Sequence, residues 1–361
     1  MRAAVMRDRS LVVDDVADPV PQDGQVLAEV LACGICGSDL HALAHPEQMV
    51  AMAAEGADSM PAGMPSPTPM DLHRDVVMGH ELSARIVDVG PEVHNRRVGD
   101  VVVSLPIAWD LGSIHPIGYS NTYPGGYAEQ VVLNELLTFE VPDGLDPLRA
   151  ALTEPMAVGL HAVNRSQITK GEAAVVFGCG PVGLATIAVL ALRGIEPIVA
   201  ADFSPARRAL AAQMGAHEVV DPRVEGAGDA WRRVDGQKPA VLFEAVGVPG
   251  MIDEAMKAAP RNARILVVGV CMETDTIWPM RAIGRELSVI FSFGYDPMEF
   301  AETLALLADG SLDVGPLVTG SVGVDGVPAA FQSLADPEAH AKILVVPGGP
   351  IAPTPLTLPQ R

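Results

Sequence analysis

The sequence predicts an α/β protein made of two joined folds: an all-β, barrel-like region over roughly the first third, then a doubly wound parallel sheet. Three observations predict this. Short alternating apolar stretches, broken by Asp, Pro and Gly turns, fill the N-terminal third. From residue 173 the periodicity changes to short apolar runs alternating with helical patterns, the signature of strand–helix–strand repetition. Between them, residues 154–163 read as one helix that links the two domains.

Taken in order, residues 3–6, 11–13 and 26–31 alternate as strands, with 19–24 as a turn. Residues 42–75 break the pattern. Six methionines (49, 52, 60, 64, 70 and 78) fall within 43–78, and 61–69 alternates proline with small residues. A short helix is expected near 46–55, then an irregular loop ending near 75. Loops of this length are usually functional or mobile, and methionine supplies soft apolar surface. The segment therefore reads either as a flap over an apolar substrate or as a packed insertion. Strands resume at 83–89, 97–103 and 128–133, with Gly99-Asp100 and Gly125-Gly126 as turns, and 141–143 leads into 147–152. In the second region 173–177, 198–201 and 218–220 read as strands, 181–193 and 206–214 as helices, and 240–244, 251–258, 264–268 and 287–292 continue the alternation. Residues 300–307 form a helical pattern, and 342–346 is a strand expected to return to the first domain. The tail from 347, with five prolines, reads as extended or frayed. The domains are thus 1–155, completed by about 295–347, then 156–294, with 348–361 as a proline-rich tail.

A chain of 361 residues with 49% hydrophobic and 19% charged residues can build two substantial cores. Its 24 basic against 45 acidic residues leave a net charge of −21, which excludes nucleic acid and anionic membrane surfaces as partners. No apolar run approaches the ~20 residues of a membrane span, and Asp8, Asp14 and Asp15 interrupt any signal-peptide core. Four cysteines are too few for a disulfide framework. A cytoplasmic protein with reduced thiols is expected.

The chemistry concentrates in Cys36-Gly37-Ser38-Asp39-Leu40-His41. Cys36 offers a thiolate, Ser38 and His41 can pass a proton, and Asp39 can hold another ligand in place. Gly79-His80-Glu81 and Thr153-Glu154-Pro155 add an imidazole and carboxylates. Thiolate, imidazole and carboxylate are the set zinc accepts in catalytic sites, whose ligands come from scattered loops with one position left open. Cys33-x-x-Cys36 could instead be a redox pair, but no βαβ pattern surrounds it. An all-thiolate zinc site would need all four cysteines, and Cys179 has another place in the chain. Cys33 reads as packing and Cys36 as the ligand.

Phe177-Gly178-Cys179-Gly180-Pro181-Val182-Gly183 follows a predicted strand and opens a predicted helix with G-x-G-x-x-G spacing. Gly178 permits the tight turn, Gly180 lets a pyrophosphate approach the backbone, and Gly183 lets helix and strand pack closely. Pro181 and Val182 open the helix, whose free amides face the phosphates. Asp202 ends the next strand, where a carboxylate meets the adenosine ribose and repels a 2′-phosphate, so NAD is expected over NADP. Arg207 and Arg208 are the competing signal, since an arginine here can hold a 2′-phosphate; otherwise they are a solvated helix face. Cys179 is structural.

With these residues in hand, the chain resembles the zinc-containing medium-chain dehydrogenase/reductase family, which includes alcohol, sorbitol, threonine and butanediol dehydrogenases. The resemblance covers about residues 1–347. It rests on the run from Gly34 to His41, on Gly79-His80-Glu81 and Val98-Gly99-Asp100-Val101-Val102, on Gly125-Gly126-Tyr127-Ala128-Glu129 and Glu154-Pro155-Met156-Ala157-Val158, and on the glycine turn with Asp202. It implies a GroES-like β-barrel catalytic domain interrupted by a Rossmann domain, with the active site in the cleft between them. Carried over position by position, Cys36 and His80 match direct zinc ligands. Glu154 stands where sorbitol-dehydrogenase-like members have a glutamate ligand, and Glu81 matches a carboxylate that binds zinc directly in some members and transiently in others. Asp39 would orient His80, and Lys342 sits where the family often places a basic residue on the cofactor phosphates. The family's structural-zinc lobe carries four cysteines, and residues 90–130 have none. One catalytic zinc and no structural zinc are therefore implied. The stretch between Cys36 and His80 is also longer than is usual in the family.

The chemistry implied is reversible oxidation of a secondary alcohol or polyol to its ketone, with zinc as Lewis acid, a nicotinamide as hydride acceptor, and Ser38 and His41 relaying the proton. The remaining histidines show no ligand spacing. Two rivals are a zinc-free quinone or enone reductase on the same fold and a non-catalytic nicotinamide-binding protein. A homodimer or homotetramer is expected, with the apolar stretch 287–292 as a strand able to pair across a dimer.

Overall fold

The computed structural model describes residues 1–58, 66–110 and 112–358. The chain folds as two units: Met1–Glu154 with Val318–Asp336 and the stretch from Lys342 form the first, and Pro155–Leu317 with Pro337–Ala341 the second. The second unit thus continues beyond the boundary expected at residue 294. Helix Pro297–Ala308 is the reason: its Phe300 is buried, and its Glu299 accepts from Asn164 and pairs with His161.

In chain order the first unit holds β1 (Arg2–Arg7), β2 (Ser10–Asp15), β3 (Gln25–Gly34), α1 (Gly37–Ala44), α2 (Pro46–Asp58), β4 (Ser66–Pro67), β5 (Val76–Val77), β6 (Glu81–Val89), β7 (Val101–Ser104), β8 (Ile107–Asp110), β9 (Ser113–Pro116), β10 (Gln130–Asn134), β11 (Thr138–Glu140) and α3 (Pro147–Ala150). The hairpin β8–β9 was not expected from the sequence. The loop expected as either a flap or a packed insertion falls in part on residues 59–65, outside the described residues. The main sheet has the order β11-β7-β6-β3, and β3 is its hub. Val26, Ala28, Val30 and Ala32 of β3 are buried on one face, which is what its alternating apolar residues dictate. Each buried valine contributes about 1.5–3 kcal/mol relative to exposure.

The helix α4 (Thr153–Ser166) carries the chain into the second unit. There β12 (Ala173–Phe177), α5 (Pro181–Leu192), β13 (Ile198–Ala201), α6 (Pro205–Gln213), β14 (Glu218–Val220), α7 (Ala227–Asp235), β15 (Ala240–Glu244), α8 (Met251–Ala258), β16 (Arg264–Val267), α9 (Pro279–Arg285), β17 (Ser288–Phe291) and α10 (Pro297–Ala308) follow. Their sheet is wholly parallel, in the order β14-β13-β12-β15-β16-β17. The chain steps outward from β12 to one edge, then returns and steps to the other, the doubly wound order of a dinucleotide-binding fold.

The last elements, β18 (Val318–Val322), α11 (Val327–Leu334) and β19 (Lys342–Val345), rejoin the first unit. β19 pairs antiparallel with β3 at Cys33 and Gly34, beyond the stretch of the same edge that β10 occupies. Up to residue 358 the tail is extended, the first of the two readings: Ser321 and Thr354 exchange backbone hydrogen bonds of 2.9 and 3.0 Å, and Leu358 is buried. Among the described residues no helix is long and apolar enough to cross a membrane.

Candidate metal centre and nucleotide turn

Three neighbouring strand ends meet in the first unit. β3 ends just before Cys36, β6 begins at Glu81 directly after His80, and β19 begins at Lys342. Register places Gly34 opposite Glu81 on one side and Leu344 on the other. A Cβ on Gly34 would collide with Glu81 Oε2, so the sheet brings the carboxylate in only because glycine faces it. Ligand atoms of Cys36, His80 and Glu81 lie within 4.8 Å of one another. A tetrahedral zinc with bonds of about 2.0–2.3 Å holds its ligands roughly 3.3–3.8 Å apart, so this donor set fits zinc with a small closure.

The loop before β10 fixes His80 from the other side. The amides of Gly125, Gly126 and Tyr127 donate to the carbonyls of Val77, Gly79 and Met78 at 2.8–3.0 Å. Gly79 has φ +99°, and a Cβ there would stand 2.6 Å from the Tyr127 ring. Left-handed backbone and close packing together demand glycine at the residue before the imidazole.

Asp39 is the fully buried hub of the site. Its Oδ2 accepts from the Cys36 amide at 3.0 Å and the Tyr127 hydroxyl at 2.6 Å, and its Oδ1 accepts from the Tyr119 hydroxyl at 2.8 Å. His80 Nδ1 stands 3.4 Å from Oδ1, near enough for charge attraction but outside hydrogen-bond geometry. Burial pushes the Asp39 carboxyl up, but the adjacent His80 and the donors from Tyr127 and Cys36 outweigh it and hold the group below its ordinary value. Burial likewise opposes a charge on His80, yet Asp39 and the Cys36 sulfur raise it well above the usual imidazole range. With Nδ1 turned to Asp39, Nε2 is the nitrogen left for a metal, the arrangement that orients a ligating histidine.

Lys342 is not where it was expected. Its side chain is fully buried, and its ammonium donates to both Glu81 oxygens at 2.7 and 2.8 Å and to the Ile35 carbonyl at 3.0 Å. All three protons are committed, so none is free for cofactor phosphates. The cause is the pairing of β19 with β3, which aims Lys342 at the first residue of β6. Burial works against its charge, but Glu81, then Cys36 and Glu154, raise its pKa. Glu154 lies buried at the start of α4, outside the three-residue cluster. Of the four expected ligands the structure gathers three.

Ser38 and His41 sit on α1, whose first turn follows Cys36. Burial and then the neighbouring His45 lower the His41 pKa, which favours the neutral imidazole. Ser38 Oγ lies 2.9 Å from the Tyr119 hydroxyl, and the Tyr119 ring packs against His80 with centroids 5.5 Å apart. The sequence reading gave no role to Tyr119 or Tyr127. One signal was present: three of the chain's four tyrosines fall between 119 and 127.

In the second unit the glycine turn is as expected locally. Gly178 has φ +88°, and a Cβ on Gly183 would strike the Gly178 carbonyl, so both must be glycine. A Cβ on Gly180 would meet nothing within 4 Å, an open approach to the backbone at the N-terminus of α5. Pro181 takes the first helical position and Val182 the next. Asp202 follows β13, its Oδ2 accepting from the Cys179 amide and its Oδ1 from the Ser204 amide, each at 2.8 Å. Burial pushes the Cys179 thiol up to about 12, an inert group. Arg208 is not a solvated face: it donates to the Asp202 and Phe203 carbonyls at 2.7 and 2.9 Å. Arg207 lies beside it, with Nε buried and without a partner.

Two family models match the chain: the alcohol dehydrogenase GroES-like domain over residues 22–143 and the zinc-binding dehydrogenase over residues 181–309. The (R,R)-butanediol dehydrogenase of Bacillus subtilis (strain 168) is 32% identical, over 94% of this chain and 97% of that protein. Sorbitol dehydrogenase of Bos taurus is 28% identical, over 92% and 94%. The crystal structure of 2R,3R-butanediol dehydrogenase from Bacillus subtilis superposes with a TM-score of 0.80 at 31% identity, covering 96% of this chain and 99% of that one.

Proposed function

The chain belongs to the zinc-containing medium-chain dehydrogenase/reductase family and is an oxidoreductase of alcohols, and from that premise we propose that it interconverts a secondary alcohol or polyol with its ketone, using one zinc per chain and NAD. The observation that supports this best is the convergence of Cys36, His80 and Glu81 within 4.8 Å. When bound, zinc supplies a Lewis acid that acidifies a substrate hydroxyl, and the nicotinamide supplies the hydride acceptor.

The chain's own residues do the rest. Cys36 and His80 hold the metal, with Glu81 or Glu154 completing the set, and Asp39 holds the His80 ring in place. Glu81 has two oxygens and about four acceptor sites, so it can keep Lys342 while offering a lone pair. Ser38 takes the proton of the substrate hydroxyl, and His41, whose burial favours the neutral imidazole, receives it toward solvent. The turn from Gly178 to Gly183 carries the cofactor phosphates on the amides of α5, and the Asp202 carboxylate favours a free 2′-hydroxyl. A zinc-free reductase has no use for the thiolate–imidazole–carboxylate cluster. The edge of β17 that pairs with no strand among the described residues, with exposed Phe291 on it and Phe293 just after it, fits a second copy of the chain, which sedimentation in solution would read as a dimer or tetramer.

A panel of secondary alcohols, polyols and ketones with NAD and NADP, read by nicotinamide absorbance on protein of measured metal content, tests the proposal. Turnover with NAD that is lost on chelation and restored by zinc is the expected result. Full turnover in metal-free protein would discard it.

A further inference from the structure

The glycine turn follows the carboxyl end of β12, and Asp202 stands just past the end of β13. In the doubly wound order a dinucleotide crosses the crevice outside the carboxyl ends where the strand order reverses, here between β12 and β15. The half that the turn and Asp202 leave unheld must then meet the ends of β15 and β16. One buried acid builds both ends. Glu244 closes β15, and its backbone carbonyl accepts from the Val268 and Gly269 amides at 2.8 and 2.9 Å. Its Oε1 accepts from the Val246 and Gly247 amides at 2.7 and 3.0 Å. The two loops touch backbone to backbone: Gly247 has φ +71°, and a Cβ there would stand 2.7 Å from the Val270 amide nitrogen and carbonyl oxygen. What they present is apolar and open. Val246 and Val270 are 40% and 37% exposed, and a Cβ on Gly178 would stand 2.9 Å from Val246 Cγ2, so this strip continues from the glycine turn. Burial raises the Glu244 pKa and its two amides offset that only in part, so an ionised acid here costs stability.

We infer that Glu244 is a positioning residue for the nicotinamide half of the cofactor, clamping the loops after β15 and β16 into a platform of Val246 and Val270 that receives it. This rests on the reading above that the turn and Asp202 take the adenosine and the phosphates. The Glu244 side chain itself needs no contact with the cofactor. Without the Oε1 acceptor the Val246 and Gly247 amides lose their partner, and the loop they begin is free to take other positions. The cofactor would then have to order its own platform, and that entropy is subtracted from binding. A platform set in advance carries no such cost. The adenosine half is spared, because Asp202 is held by bonds of its own to the Cys179 and Ser204 amides.

Calorimetric titration of the zinc-loaded protein with ADP and with NADH tests this in the parent, Glu244→Ala and Glu244→Gln. ADP reads the turn and Asp202 alone, and NADH reads both halves. Glu244→Ala should weaken NADH about tenfold and leave ADP within about twofold. Glu244→Gln keeps the Oε1 acceptor and should match the parent with both ligands. Should Glu244→Ala fail to fold, two milder variants carry the same test: Glu244→Asp, whose shorter arm withdraws the acceptor, and Val270→Ala, which trims the platform. Each should weaken NADH about threefold with ADP unmoved. Loss of NADH and ADP together, or a lower melting temperature with both affinities intact, would make Glu244 a purely structural residue and overturn the inference. So would a Glu244→Gln protein as weak for NADH as Glu244→Ala. A parent protein that does not bind ADP refutes the reading of the turn and Asp202 instead, and the role of Glu244 falls with it.

Discussion

In the first unit, the candidate metal centre draws its side chains from the ends of β3, β6 and β19 and from the loop before β10, and it exists only when four strands are in register. In the second, the nucleotide turn is one short run from Gly178 to Gly183 with a single carboxylate after the next strand. The first site is specified by side chains that distant backbone brings together. The second is specified by side chains that are missing, so that backbone can come close. The two should therefore fail separately and by different physics.

The largest effects should come from the proposed metal ligands. Cys36→Ser or His80→Ala should release zinc and reduce turnover to background, while nicotinamide binding, followed by fluorescence, stays near that of the parent protein. A ligand variant that lost cofactor binding as well would break the separation. Next is Lys342→Met, which leaves the Glu81 carboxylate buried without its cation and should cost about 3–5 kcal/mol in denaturant unfolding. Adding Glu81→Gln should recover part of that loss.

Gly183→Ala probes the other region. Its methyl group would meet the Gly178 carbonyl, so a destabilisation of about 1–3 kcal/mol and weaker cofactor binding are expected, with zinc content unchanged by metal analysis. Asp202→Ser should weaken NAD by about tenfold and narrow the gap to NADP, read by titration with each cofactor.

The smallest effect concerns Glu244, buried at the end of β15, where burial raises its pKa above the ordinary glutamate value. The folded state then holds this proton at pH values where the unfolded chain has released it. Stability from this group is present at low pH and is lost as pH rises from about 4.5 through the raised value. Both amide donors, from Val246 and Gly247, reach Oε1, which glutamine retains. Glu244→Gln should flatten that slope in melting temperature, and an unchanged slope would assign it to other groups.

The contrast also explains what the sequence could disclose. The glycine turn was legible because its determinants are local: strand, turn, helix start and Asp202 fall within one stretch of chain. Cys36, His80 and Glu81 stood out as candidates because thiolate, imidazole and carboxylate make a rare combination, and the family resemblance then gave each its expected role. Lys342 was misplaced because its partner is chosen by the alignment of β19 on β3, which no local pattern encodes. Tyr119 went unread because 117–127 has no period, and its value lies in where its hydroxyl ends. The tail was left as extended or frayed because proline-rich composition hides the backbone pairing of Thr354 with Ser321.

Lys342 belongs to the last strand, so Glu81 leaves the ribosome 261 residues ahead of the charge that balances it. Through most of synthesis that carboxylate has to stay hydrated, and the early half of the polypeptide cannot shut around it. Arrival of the final strand both extends the sheet and neutralises the acid, so a message cut short before that codon should leave the Glu81 carboxylate without its balancing charge.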